Sequence, residues 1–458
     1  MGPPPRVEPR ALTPWHIALV SLIAIAVRVP LWLARTHMTF DEGVFLASTD
    51  LAASGLTQYR DFFASQGPLF LPMLEVADVL GFGDPRAPRT VMIVAGIAIA
   101  IATYFIVATV TSRARSLGLA VLVSISGAVL HAAGPVQSEG PALAFALVAL
   151  AVTLYRQDRT GALLAGVFIG AAVATKSLHV LPTVSMVAVV MAYRRSWLNL
   201  AYTSLAAMTV SLAGALAYGV ERVWDQYILF HLAKDNSTNL LDNLAYMGRY
   251  LFENDTALAI VAVGSILLLA RPARHSRIAS RHDVPHWLPA AWFGASLVTL
   301  LGFTRIDPGF VRVMAFVIPP LAYSIAAWSR IPDRVLLGVA GVALVFQFVV
   351  IDYQLDTPDE VAAAVDVLEG LDEERLFVSD DPGILWSAGR LSHPDTVDPS
   401  FARFNTGYLT DDAIQSALLD PETCAFLSTS ERFEANEIFP PELYQPAGPP
   451  GVFVREGC

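Results

Sequence analysis

Charge is scarce in this chain, and lysine scarcer still. Asp, Glu, Lys and Arg make up 16% of its 458 residues while 54% are hydrophobic, and of the 30 basic residues only Lys176 and Lys234 are lysine. A soluble domain carries about a quarter of charged residues, so this composition, with a mean hydropathy of +0.52, excludes an ordinary soluble protein. It indicates a polytopic membrane protein. Cysteine is almost missing as well: Cys424 and Cys458 stand alone, and no Cys or His cluster has zinc spacing. His131, His179 and His231 are scattered and read as packed or solvated side chains. A glycine-rich phosphate loop is absent, as is any internal repeat, and no nucleic-acid partner is expected.

What the chain does have is a series of apolar stretches. At about 1.5 Å per residue, roughly 20 helical residues cross about 30 Å of hydrocarbon. Candidates lie near 15–35, 89–111, 117–133, 140–155, 161–176, 178–193, 198–220, 256–270, 287–303, 310–328 and 334–352, which predicts an all-α bundle of about eleven spans. Arg28 interrupts the first stretch and no small-x-small site follows it, so a retained helix is expected there rather than a cleaved signal peptide. Cytoplasmic loops are rich in Lys and Arg. With the N-terminus inside, the inner connections hold Arg113 and Arg115, Arg156 and Arg159, Arg194 and Arg195, Arg271 to Arg281, and Arg330 with Arg334. Every one is basic. The outer connections hold Asp41 with Glu42, Glu139, the aromatic-rich segment 221–255, the turn 304–309, and an acidic tail after Asp352. Arg-rich, Ala-rich usage suggests a GC-rich bacterial genome, hence a multi-pass protein of a bacterial plasma membrane.

The first outer loop, 36–88, is the most unusual segment. Two semi-apolar pieces, 43–54 and 68–82, have helical spacing but are too short to span, and are expected to lie along the interface as amphipathic helices. Ahead of the first stand the adjacent carboxylates Asp41 and Glu42, and charge beside hydrocarbon rarely persists without a role. The plain alternative is a solvated pair at a helix start.

His37-Met38-Thr39-Phe40-Asp41-Glu42-Gly43, then Tyr59-Arg60-Asp61-Phe62, then Gly67-Pro68-Leu69-Phe70 resemble the first-loop signature of the GT-C superfamily of membrane glycosyltransferases. The branch holding protein O-mannosyltransferases and the lipid A aminoarabinose transferase is the most similar. Phe82-Gly83-Asp84-Pro85 with Arg86 and Arg89, Gln137-Ser138-Glu139-Gly140-Pro141, Ala174-Thr175-Lys176-Ser177, and Arg312 with Pro319-Pro320 follow in the family's order. The resemblance implies a polyprenyl-phosphate sugar donor, an acceptor hydroxyl on a cell-envelope glycan, lipid or protein, and inversion at the anomeric carbon.

Inversion needs a base beside the nucleophile. The resemblance gives that role to Asp41, with Glu42 beside it and Glu139 as a second acid. The leaving phosphate calls for cations, and arginine binds its oxygens bidentately while staying charged. Arg60 is the first candidate, followed by Lys176, Arg305 and Arg312. Tyr59, Asp61 and Gln66 are expected to position substrate. Asp41 with Glu42 is the sole candidate ligand pair for a divalent cation, and the sequence leaves open whether one binds. A transporter or lipid-linked sugar flippase is the alternative class, but its ionisable residues belong at the bilayer midplane on repeated halves.

Residues 1–353 thus form the expected membrane domain and 354–458 a small extracytoplasmic α/β domain. In the latter, helices are predicted from Pro358 to Leu371 and from Asp411 to Leu419, and strands over Arg375–Ser379, Cys424–Ser428 and Gly451–Val454. An oxidising compartment favours a disulfide between Cys424 and Cys458; two free thiols are the other possibility.

Overall fold

The computed structural model describes residues 14–34, 36–234, 240–268, 284–303, 308–350, 358–430, 432–433 and 439–458. Each expected apolar stretch is helical within these limits, but helix length does not establish eleven spans. Three helical segments, Ala87–Ala108, Trp197–Tyr218 and Val311–Trp328, are long and apolar enough to cross a bilayer. Six more, including Glu139–Tyr155, Arg159–Thr175 and Leu288–Gly302, are apolar but only 10–17 residues long.

Two breaks shorten the helices, and each has a local cause. The stretch at 117–133 divides into Arg113–Ser124 and Gly127–Ala132. The second piece is capped from afar by Asp255, whose carboxylate accepts from Gly127 N at 2.7 Å and Ser126 Oγ at 3.1 Å. The first stretch ends its regular helix at Ala26, and Arg28 is buried at the bend. Its guanidinium donates to the carbonyl oxygens of Ala24 and Ala133 at 3.1 and 2.8 Å, which supplies donors to backbone acceptors that hydrocarbon would leave bare. Gly96 makes room for it, because a Cβ there would stand 2.2 Å from Arg28 Nε.

The first outer loop forms the two expected short helices, Phe40–Ala53 and Phe70–Leu80. Thr39 caps the first by accepting from Glu42 N at 3.2 Å, so Asp41 and Glu42 occupy its first turn, where the helix dipole favours negative charge. The intervening strand of chain is pinned to the end of the Arg159–Thr175 helix: Gly67 N donates to Thr175 O at 3.2 Å and Leu69 N to Ala174 O at 2.9 Å. Only glycine permits this approach, since a Cβ on Gly67 would lie 2.2 Å from Ala174 O.

The tail folds as a five-stranded sheet, β1 Leu376–Ser379, β2 Leu391–Ser392, β3 Thr423–Leu427, β4 Tyr444–Pro446 and β5 Val452–Arg455, in the order β2-β1-β3-β5-β4. The first three are parallel and the last two antiparallel. Alternation along β1 and β3 sends Phe377, Ala425 and Leu427 to one core and Val378 and Phe426 to the other. Cys424 and Cys458 are joined as a disulfide. The boundary expected at 353/354 lies outside the described residues.

Candidate functional site

The Glu139–Tyr155 helix begins with a carboxylate that is 2% exposed. Glu139 Oε1 lies 3.3 Å from Lys176 Nζ and 3.3 Å from Arg312 Nε. Burial alone would disfavour ionisation of this carboxyl, but the charges of Lys176 and Arg312 outweigh burial and hold its pKa below the usual carboxylate range. Lys176 terminates the Arg159–Thr175 helix, its N–H bonded to Ala172 O, where the dipole suits a cation. Arg312 comes from the 3₁₀ segment Pro308–Phe316. Its far nitrogen reaches Asp41 Oδ2, whose side chain is 32% exposed. Asp41, Glu139, Lys176 and Arg312, spread over 271 positions, therefore form one chain of alternating charge.

Gln66 completes the inner wall. Its Oε1 accepts from Ser138 Oγ at 2.7 Å and from Lys176 Nζ at 3.1 Å. Tyr59, buried and in left-handed conformation at φ 65°, donates its hydroxyl to the Gln66 carbonyl and so fixes that residue's place.

The other expected site residues lie elsewhere or do other things. Glu42 is fully buried and turned away from Asp41: it accepts from Arg89 Nε at 2.9 Å, Val136 N at 3.0 Å and Met38 N at 2.6 Å. Arg89 also donates to Thr36 O at 2.8 Å and lies 5.3 Å from the Trp386 ring. Arg60 is half exposed, and its fork closes on the neighbouring Asp61 at 2.7 and 2.9 Å. Asp61, held to about 2 by Arg60 and by the Thr57 N–H, is occupied with capping that turn. Arg305 lies outside the described residues. Among the described residues no three His, Cys, Asp or Glu side chains gather as a metal site.

One cation was not anticipated. Lys234, the second lysine, sits at the end of the Phe230–Ala233 turn with its ammonium 4.4 Å from the Phe230 ring centroid, and among the described residues it makes no ion pair. Burial and the like charge of Lys176 lower it to about 8, against the opposing influence of Asp398 and Asp41. The segment that carries it is zipped to the first outer loop through Gln226, which bonds Ala64 N and Tyr59 O at 3.0 Å each, and through His231 Nε2, 2.8 Å from Ser65 O.

The tail domain roofs the cluster. The Pro382–Ser387 helix lies on the Phe40–Ala53 helix so closely that a Cβ on Gly43 would stand 2.6 Å from Gly383 Cα. His37 Nε2 and Asp381 Oδ2 meet at 3.1 Å, and Arg432 stacks 3.7 Å from the Phe40 ring. Elsewhere in the bundle an apolar cavity of about 360 Å³ runs from Met314 and Val317 to Trp328, walled by Leu251 and Phe293.

No protein-family model matches the chain, and no curated protein sequence matches it. Its fold does match solved structures. ArnT from Cupriavidus metallidurans bound to undecaprenyl phosphate aligns with a TM-score of 0.62 at 15% identity, covering 90% of this chain and 92% of that one. The same protein in the apo state gives 0.59 at 14% identity, covering 82% and 85%. The oligosaccharyltransferase of Archaeoglobus fulgidus in complex with zinc and sulfate gives 0.47 at 14% identity, covering 84% and 63%. The chain thus shares its fold with the lipid A aminoarabinose transferase ArnT, one of the proteins that the resemblance in the sequence implied.

Proposed function

We propose that this chain is an inverting membrane glycosyltransferase that moves a sugar from a polyprenyl phosphate to an acceptor hydroxyl at the outer face of a bacterial plasma membrane. The observation that carries the reading is the convergence of Asp41, Glu139, Lys176 and Arg312 in one chain of ion pairs. The GT-C fold, shared with an ArnT that binds undecaprenyl phosphate, supports it.

Three cations face the same space: Arg312, Lys176 and Lys234. They suit a phosphate whose charge grows as the glycosidic bond breaks, because positioned cations in a water-poor site act where charge develops. The apolar cavity beside Met314 suits the first isoprene units. Asp41 is the most exposed member of the cluster and the one free to meet an acceptor. Its carboxylate is held by Arg312. When phosphate engages Arg312, Asp41 is released to accept the proton of the attacking hydroxyl, the new carbon–oxygen bond forms, and the phosphate departs with the bonding pair. Glu139 stays ionised between its two cations and fixes their positions. Glu42, locked to Arg89, orients the first turn that presents Asp41, and Tyr59 and Gln66 hold the wall next to Lys176. Arg60 and Arg305 remain candidates for the approach of the phosphate along the membrane surface.

Thermal unfolding of the purified protein in detergent with undecaprenyl phosphate tests the reading. Stabilisation is expected, and it should shrink in Lys176→Ala and Arg312→Ala. Failure of every polyprenyl-phosphate lipid to stabilise the wild type would overturn the proposal.

A further inference from the structure

One short run of chain touches every part of the charged cluster. Val136, Gln137, Ser138 and Glu139 are only 0, 1, 0 and 2% exposed, and each bonds a different partner. Val136 N donates to Glu42 Oε1 at 3.0 Å. The Gln137 amide reaches Thr39, 98 positions away, with Nε2 donating to Oγ1 at 3.0 Å. Ser138 Oγ donates to Gln66 Oε1, and Glu139 holds Lys176 and Arg312. The run itself is fixed in place. Gln137 N donates to Met92 Sδ at 3.5 Å, and Gly140 lies so close to the end of the Gly127–Ala132 helix that a Cβ there would stand 2.5 Å from Ala132 O.

The bonding of Gln137 is lopsided. One end of its amide bonds Thr39; the other, Oε1, is buried and has no hydrogen-bond partner among the described residues. A buried acceptor without a donor costs stability, so for folding alone an apolar side chain of this size would serve as well. What the amide adds is a tie between two parts of the cluster. Thr39 Oγ1 accepts from Glu42 N, which caps the Phe40–Ala53 helix, and from Gln137 Nε2. Asp41 sits in the turn so capped, and Glu139, two residues beyond Gln137, fixes the cations. The remaining link between these parts is the Asp41–Arg312 ion pair, and that is lost once phosphate engages Arg312. Glu42, on Arg89 and Val136 N, still anchors the helix to the fold, which leaves the bond from Gln137 to hold the cap.

We infer, resting on the glycosyltransferase reading of the site, that Gln137 is a positioning residue whose bond to Thr39 keeps the first helical turn, and Asp41 with it, at a set distance from the cations during transfer. Gln137 touches neither donor nor acceptor. It acts through Thr39, at the moment when base and departing phosphate must be aligned together.

Gln137→Met, of similar length and apolar, tests the assignment because it removes the bond to Thr39 and the unpartnered oxygen at once. The two changes offset each other, so the variant should unfold at the wild-type temperature and bind bare undecaprenyl phosphate with wild-type affinity. Turnover is followed in membranes as release of free lipid from undecaprenyl phosphates charged with mannose, glucose, galactose or arabinose. In the variant kcat should fall by about 10²-fold with KM unchanged, the scale on which misplacing a reacting group by about 1 Å acts. Thr39→Val breaks the same bond from the other side, so adding Gln137→Met to it should lower kcat no further. Rates are taken per lipid-binding site, which cancels any loss of folded protein. A lower unfolding temperature with wild-type kcat per site, equal loss of lipid binding and turnover, or additive losses in the double variant would overturn the inference. A wild type that turns over none of the charged lipids would instead defeat the glycosyltransferase reading.

Discussion

Glu139 holds two cations that otherwise share a small, poorly hydrated space. Removing its charge with Glu139→Gln leaves Lys176 and Arg312 repelling each other, so both lower stability and weaker binding of undecaprenyl phosphate are expected. Asp41→Asn is a different change: the residue is partly exposed, the fold should survive, and transfer should fall by about 10²–10⁴-fold, the usual worth of a general base. Glu42 and Arg89 form the buried pair of the site. Deleting one partner of such a pair costs about 3–5 kcal/mol, so Glu42→Ala should lower the unfolding temperature sharply, and activity should fall with the folded fraction. Lys234 gives the site a pH dependence. Its ammonium, lowered to about 8, is charged below that pH and neutral above it, so affinity for undecaprenyl phosphate should decline as pH rises through about 8. Lys234→Arg should abolish that decline, and a flat wild-type profile from pH 7 to 9 would contradict it. Asp41, Glu139, Lys176 and Arg312 were legible because a shared motif order marks them. Lys234 was not, because its place depends on loops folding across each other, and the only sequence signal was the rarity of lysine. The pairing of Arg60 was not legible either. Its guanidinium pairs with the very next residue, Asp61, which adjacency in sequence allows but does not dictate.

At the level of elements, the close approach of the Pro382–Ser387 and Phe40–Ala53 helices is the contact that locks the roof. Gly43→Ala places a methyl against the backbone of Gly383 and should undock the tail, seen as faster limited proteolysis near residues 388–410 and reduced activity with the membrane bundle still folded. The interfacial helices and three of the five strands were readable from periodicity. The two remaining strands, Leu391–Ser392 and Tyr444–Pro446, are too short to leave a pattern. Helix breaks were hidden for a stronger reason: a continuous and a broken apolar helix share the same composition. The break near 125 is made by Asp255, about 130 positions away.

For the whole molecule, the basic connections and the acidic cluster lie at opposite ends of the Thr90–Ala108 helix, with Arg89 beside Glu42 at one end and Arg113 and Arg115 beyond the other. That arrangement fits the positive-inside pattern, and in the topology proposed from it the disulfide-bearing tail belongs to the outer side. The count of spans was not legible from composition, since short and bent helices are told from full spans by packing alone. The reading of this assembly as a transferase is tested most directly by following a sugar-charged undecaprenyl phosphate in membranes containing the protein, with mass spectrometry of the lipid. The wild type should release free undecaprenyl phosphate while Asp41→Asn binds the charged lipid and leaves it intact. Equal release by both proteins, or release by neither with the lipid merely moved across the membrane, would contradict the account.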